Sequence, residues 1–122
     1  MSMIKLKVKT NNHKYQIIIG NNILNKTKNF FKENSISFNK CLIVIDKNVP
    51  GKLIKKILKS FSQKKLIIHY FNANEKNKNQ KSVNKILSIL LSNNFNRNDC
   101  LLSVGGGITG DVTGFAASIF KR

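Results

Sequence analysis

Three glycines near the carboxyl end hold the most specific chemical signal in this sequence. Gly105, Gly107 and Gly110 fit the spacing G-x-G-x-x-G, directly after the apolar run Cys100 to Val104 and at the start of a helical pattern. Glycines at such a bend accept positive φ and let the backbone approach a ligand closely. The first amides of the helix then face that ligand, with the positive end of the helix dipole behind them. The chemistry is capture of a phosphate or diphosphate. The same spacing also suits a plain tight turn from strand to helix. Its usual companion, an acidic ribose ligand about 20 residues further on, would fall beyond Arg122. Asp111 lies in the first helical turn, where the dipole favours a carboxylate. Beside a phosphate it would serve ribose hydroxyls, a metal or an amide.

The other reactive side chains are less specific. Cys41 and Cys100 each open an apolar run, neither forms a CxxC pair, and His13 and His69 have no metal-ligand spacing to them. Both cysteines read as small buried hydrophobes at strand starts, unpaired in a reducing compartment. His69 reads as a packed strand residue.

The elements that must position the glycine bend follow from periodicity. Ile4, Leu6 and Val8 alternate with lysines over residues 4–9, and residues 15–20 return after a polar turn, which predicts a half-buried β-hairpin. Asn21 or Asn22 is placed to cap a helix through Lys32. Cys41 to Ile45 is continuously apolar, as in a strand covered on both faces of a parallel sheet. A helix is expected over residues 51–62, a strand over 66–71, a polar loop over 72–81 and a helix marked by Val83, Ile86, Leu87 and Leu90. Then come the strand at 100–104 and a helix starting near Gly110. This order predicts an α/β fold, a Rossmann-like parallel sheet with an N-terminal β-hairpin. Right-handed crossovers would gather the loops 46–49, 72–81 and 105–111 at the carboxyl ends of the strands, where such sheets bind ligands.

Composition sets the frame. The chain has 122 residues, enough for one domain (1–122) with a real core. No apolar run approaches the roughly 20 residues of a membrane helix, and the first residues lack the apolar core of a signal peptide. The expectation is a soluble, cytoplasmic domain. The net charge is +17, from 22 Lys and Arg against 5 Asp and Glu. A basic nucleic-acid-binding domain is therefore an alternative, testable by salt-dependent DNA retention. Yet 20 of the 22 cations are Lys, spread without a block of five, and Lys, Asn and Ile make up 54 of the 122 residues. All three have A/T-rich codons, so genome bias accounts for the charge and no specific nucleic-acid partner is expected.

The string Gly105-Gly106-Gly107-Ile108-Thr109-Gly110-Asp111-Val112-Thr113-Gly114-Phe115-Ala116-Ala117, running on to Arg122, resembles the GGGxxGDxxGFxAxxxxRG signature of the 3-dehydroquinate synthase family. Asp46-Lys47-Asn48-Val49 resembles that family's D-x-N-V loop. Residues 73–78 fall where the family has D-G-E-x-x-K; Glu75 and Lys78 match, while Ala73 and Asn74 depart. The resemblance covers the whole chain but only about the first third of the family's usual length. Related sugar-phosphate cyclases and metal-dependent alcohol dehydrogenases share a GGG-type loop, and the G-D-x-x-G-F-A-A continuation favours dehydroquinate synthase.

The resemblance implies an NAD site. Asp46 and Asn48 would contact the adenosine side, and Glu75 and Lys78 the ribose or nearby groups. Gly105, Gly106, Gly107 and Gly110 would cradle the pyrophosphate, with Asp111 at the nicotinamide ribose and Arg122 on substrate phosphate. Taken singly, Asp46 and Asn48 also read as a turn, Glu75 and Lys78 as a solvated charge pair, and Arg122 as a solvated tail. The family enzyme, typically a homodimer, is a carbon-oxygen lyase of the shikimate pathway that also needs a divalent metal, zinc or cobalt. Its metal ligands lie in a C-terminal helical domain, which is absent from these residues, so no metal ligand or catalytic residue maps here. The chain is expected to be a truncated portion that binds NAD weakly and does not turn over alone, with a separate C-terminal segment as a possible partner. An unpaired sheet edge and an exposed apolar patch are expected to make it prone to associate.

Overall fold

The computed structural model describes residues 3–120. Strand β1 (Met3–Lys9) pairs antiparallel with β2 (Lys14–Gly20), forming the expected hairpin as a two-stranded sheet of its own. A 3₁₀ turn (Leu24–Lys26) leads into α1 (Thr27–Glu33). After it come β3 (Lys40–Asp46), α2 (Gly51–Ser60), β4 (Lys65–Phe71), α3 (Gln80–Ser92), β5 (Cys100–Val104) and α4 (Gly107–Ile119). The second sheet is parallel throughout, in the order β4-β3-β5.

Strand β3 organises the layers. Cys41, Leu42, Ile43, Val44 and Ile45 are all at most 1% exposed, as a central parallel strand requires. Their side chains alternate between faces. Leu42 and Val44 pack with Val83, Ile86 and Leu90 of α3 and with Val112 and Ala116 of α4. Cys41, Ile43 and Ile45 pack with Ile54 and Ile57 of α2 and with Phe38 and Phe61. Each such side chain contributes about 1.5–3 kcal/mol by leaving water, so this one strand holds both helical layers. At its amino end, the buried Asp99 carboxylate accepts hydrogen bonds from the Lys40 N–H at 3.2 Å and the Asn96 N–H at 2.9 Å. The Lys40 ammonium donates to the carbonyls of Asn93 and Asn94 at 2.7 and 2.8 Å. This clamp sets the start of β3 against the α3–β5 connection.

Several boundaries correct the sequence expectation. Asn22 does not cap a helix: at φ 54° it turns the chain through the left-handed region, which Asn tolerates better than other residues with a side chain. Helix α2 ends at Ser60 rather than residue 62. The 72–81 loop contains a 3₁₀ turn (Glu75–Asn77), and α3 begins within its last residues because the Asn79 side chain caps it, accepting from the Ser82 N–H at 2.9 Å. Helix α4 starts at Gly107, one turn earlier than the spacing suggested, with the extended Gly106 as its first cap position.

The hairpin is also turned over. The register Ile4↔Ile19, Leu6↔Ile17 and Val8↔Tyr15 gathers the apolar side chains on one face. That face points outward, with Ile4 55%, Tyr15 53% and Ile19 53% exposed. The opposite face docks on α1, where the Lys5 ammonium pairs with Glu33 at 3.0 Å and the Asn34 amide donates to Gln16 at 2.9 Å. Polar contacts thus lie on the face that meets the body of the protein, and the apolar stripe lies on the other.

Candidate functional site

Because β3, β4 and β5 run parallel, their following loops leave from one edge of the sheet. The loop after β3 is a compact turn built on Asp46. Its carboxylate accepts the Asn48 N–H at 3.0 Å and its carbonyl the Val49 N–H at 3.0 Å, while the Lys47 N–H donates to the Phe71 carbonyl of β4 at 3.0 Å. Asn48 is exposed, and Asp46 is half-buried.

The glycine bend closes against that turn. Gly105 has φ 152°, a conformation that residues with a Cβ rarely adopt. A Cβ built on it would stand 2.9 Å from the Asp46 Cβ and 2.9 Å from the Thr109 hydroxyl. Only hydrogen fits. Gly106 and Gly107 have no atom within 4 Å of where a Cβ would go, and both are exposed. Among the described residues no side chain caps α4, and its first internal hydrogen bond runs from the Gly110 N–H to the Gly106 carbonyl at 3.1 Å. The first-turn amides, which a helix cannot pair internally, therefore face open space. This is the geometry of an anion site.

The loop after β4 reaches the same helix. Asn74 accepts the Asn77 N–H at 3.0 Å, and the Asn77 amide donates to the Asn72 carbonyl at 2.8 Å, which shapes the turn that presents Glu75 and Lys78. The Lys78 ammonium then meets the Asp111 carboxylate at 2.9 Å, both side chains being largely open to solvent. The Asp111 carboxylate, by hydrogen bond and charge, with a smaller contribution from Glu75, holds the Lys78 ammonium above the usual lysine range. Beside the pair, Val83, Val112 and Phe115 wall a cavity of about 310 Å³.

These contacts draw together most of the residues singled out from the sequence. Asp46 touches the glycine bend, and Lys78 ties the second loop to Asp111. The Glu75 carbonyl accepts the Lys78 N–H at 3.2 Å, with no hydrogen bond between their side chains among the described residues, and Asn48 contributes its backbone to the Asp46 turn. Arg122 lies outside the described residues.

Curated proteins named 3-dehydroquinate synthase match the chain. The 3-dehydroquinate synthase of Pelagibacter ubique (strain HTCC1062) is 68% identical over all 122 residues, which correspond to 33% of its length. That of Buchnera aphidicola subsp. Cinara cedri is 42% identical over 96% of this chain and 32% of its own. The family described as 3-dehydroquinate synthase N-terminal matches residues 67–122. Over its whole length the chain is similar to the amino-terminal third of 3-dehydroquinate synthases.

It spans about a third of the length of the curated relatives it matches. Among solved structures, 2-deoxy-scyllo-inosose synthase in complex with carbaglucose-6-phosphate, NAD+ and Co2+ superposes with a TM-score of 0.84 at 21% identity, over 98% of this chain and 33% of that one. At that identity the likeness shows a shared fold.

Two features of the fold were not foreseen. Thr109 and Thr113, one turn apart on the inner face of α4, bury hydroxyls that have no hydrogen-bond partner among the described residues. Their polar type gave no hint of burial; only the four-residue spacing on an apolar helix could have done so. The second is that Cys41 and Cys100 stand opposite each other in the β3–β5 ladder, a pairing that only the strand register fixes.

Proposed function

We propose that this chain forms the NAD-binding portion of a 3-dehydroquinate synthase. That enzyme converts 3-deoxy-D-arabino-heptulosonate 7-phosphate into 3-dehydroquinate and phosphate, in the shikimate route to aromatic amino acids. One observation carries the reading: a helix that begins on bare glycines, with no side-chain cap, opens beside the Asp46 turn and the Lys78–Asp111 bridge. A diphosphate supplies the acceptors that the first-turn amides lack, and its charge meets the helix dipole.

In this reading Gly105, Gly106, Gly107 and Gly110 hold the pyrophosphate. Asp46 and Asn48 take the adenosine side, Glu75 and Lys78 the ribose region, and Asp111 the nicotinamide ribose. Arg122 serves substrate phosphate. Bound NAD supplies a transient hydride acceptor; the residues present bind and orient it. A divalent metal, zinc or cobalt, belongs to the whole enzyme. Among the described residues no group of three or more His, Cys, Asp or Glu is placed to hold one, so the metal step is assigned to residues outside these.

The reading also places the protein in the cytoplasm. Among the described residues no helix is long and apolar enough to cross a membrane. It further includes self-association, supported by the uncharged outward face of the hairpin.

The test is calorimetric titration of the chain with NAD, comparing wild type with Gly106→Asp. An Asp at this extended cap position satisfies the helix amides itself and repels a diphosphate. The variant should keep or gain stability while losing at least about tenfold in NAD affinity, roughly the loss of one charged hydrogen bond. Equal NAD binding by both proteins, or no binding by the wild type, would overturn the reading.

A further inference from the structure

Cys41 and Cys100 are far apart in sequence and side by side in the sheet. The parallel register pairs Cys41 of β3 with Cys100 of β5, so both side chains leave on the face covered by α2, within the cluster around Phe38, Ile54 and Phe61. Neighbouring strands run about 4.8 Å apart, inside the Cα separation of about 4.4–6.8 Å that a disulfide spans. Both are free thiols, and their exposure differs. Cys41 is fully buried, while Cys100, on a strand paired on one side only among the described residues, is partly open. A small oxidant reaches Cys100 first and finds Cys41 directly behind it.

We propose that Cys100 and Cys41 are a peroxide-sensitive thiol pair, Cys100 the attacking and Cys41 the resolving cysteine. A partly accessible thiol poised beside a second one is the arrangement of redox-sensing cysteines. The electrostatics agree with the geometry. The neighbouring Cys41 thiol lowers the Cys100 pKa against the effect of burial. The same contact and burial push the Cys41 thiol far up. The thiolate thus forms on the more accessible sulfur, where it acts as the nucleophile.

The chemistry balances with hydrogen peroxide as oxidant. The Cys100 thiolate attacks one peroxide oxygen, the O–O bond breaks, and hydroxide leaves and takes up a proton as water. Cys100 is then a sulfenic acid. The Cys41 sulfur attacks the Cys100 sulfur, the S–O bond breaks, and the oxygen departs as water with the thiol's proton. Two thiols have lost two electrons, and one peroxide has become two waters. A dithiol reverses the step by exchange. The new bond joins β3 and β5 at their amino ends, away from the edge that carries Asp46 and the glycine bend.

This inference is independent of the NAD reading. The full chain would be exposed to graded hydrogen peroxide, quenched with an alkylating maleimide in denaturant, digested and analysed by mass spectrometry. The expected product is a Cys41–Cys100 cross-linked peptide, with both thiols lost together and both restored by dithiothreitol. At the same dose Cys41→Ala should stop at a Cys100 sulfenic acid that dimedone traps, and Cys100→Ser should leave Cys41 free. Wild type alone decides the matter should Cys41→Ala fold poorly. Accumulation of dimedone-labelled Cys100 with Cys41 unmodified, intermolecular disulfides only, or two thiols still fully alkylated would each overturn it.

Discussion

Gly105 lies against Asp46 so closely that a Cβ on the glycine would come within 2.9 Å of the aspartate Cβ. This contact joins the loop after β3 to the bend after β5, and it sets where the first amides of α4 point. The site is assembled by backbone fit before any side chain reaches out to a ligand.

Gly105→Ala should therefore cost stability as well as binding. The substitution meets an unfavourable φ of 152° and two contacts at 2.9 Å. Backbone strain and overpacking are each of order 1–3 kcal/mol, so a loss of at least about 2 kcal/mol is expected in urea denaturation. Gly107→Ala, with nothing within 4 Å of the new methyl, should be neutral or slightly stabilising and should weaken only ligand binding.

Thr113→Val should raise stability. The Thr113 hydroxyl is buried without a partner among the described residues, and a methyl of the same shape removes that unmet demand at a gain of about 1 kcal/mol. A rise in the denaturation midpoint with unchanged slope would bear this out. A drop would show that a buried water satisfies the hydroxyl.

Much of this was legible in the sequence, for separable reasons. The apolar run 41–45 specifies a doubly covered strand because hydrophobic burial leaves it no other place, and β3 is that strand. The glycine spacing located the bend because positive φ and close approach restrict residue type, as at Gly105. Contacts between loops were not legible. The Lys78–Asp111 bridge and the Cys41–Cys100 pairing depend on strand order and register, which periodicity does not encode. The start of α4 was missed because a glycine weakens a helix interior but costs little in the first turn, where its amide is unpaired anyway. The hairpin's outward apolar face was missed because alternation names two faces without saying which one docks.

The Lys78–Asp111 bridge should matter for ligand more than for folding. Lys78→Met leaves stability nearly unchanged, since exposed ion pairs contribute little. It should lower NAD affinity roughly tenfold if the ammonium serves the ribose region, as loss of one charged hydrogen bond would. The Lys78 pKa is raised in the folded chain, so the bridge's contribution is complete below the ordinary lysine range. It disappears only as pH climbs through the raised value. Affinity measured between pH 6 and 9 (about two Debye-screened salt conditions suffice) should be flat in both proteins.

His69 should make the fold acid-sensitive. It lies half-buried on β4, and burial first, then the charge of Lys85, lower its pKa from the ordinary 6.5. The unfolded chain then binds the proton more readily than the folded one, so stability rises with pH across this range. It is complete above about pH 6.5 and drains as pH falls toward the lowered value. His69→Gln should flatten that part of a stability–pH profile taken by thermal denaturation from pH 5 to 8, while Lys85→Gln, which brings the folded-state pKa closer to 6.5, should flatten it in part.

Association should run through the hairpin. Ile4, Leu6, Tyr15, Ile17 and Ile19 lie on a single exposed face, paired across the strands as Ile4↔Ile19 and Leu6↔Ile17. A two-fold pairing sets such a patch against itself, and the face bears no charge to oppose this despite the net +17. Light scattering of the chain should give a mass above that of a monomer. Replacing the cross-strand neighbours together, Leu6→Lys with Ile17→Lys, places two cations on the patch and should return a monomer. The parallel sheet of β3, β4 and β5 is a separate sheet, so its thermal transition should survive the change. A double variant that still associates would move the interface to the open edges of β4 and β5, where unpaired backbone groups offer the other route to self-assembly.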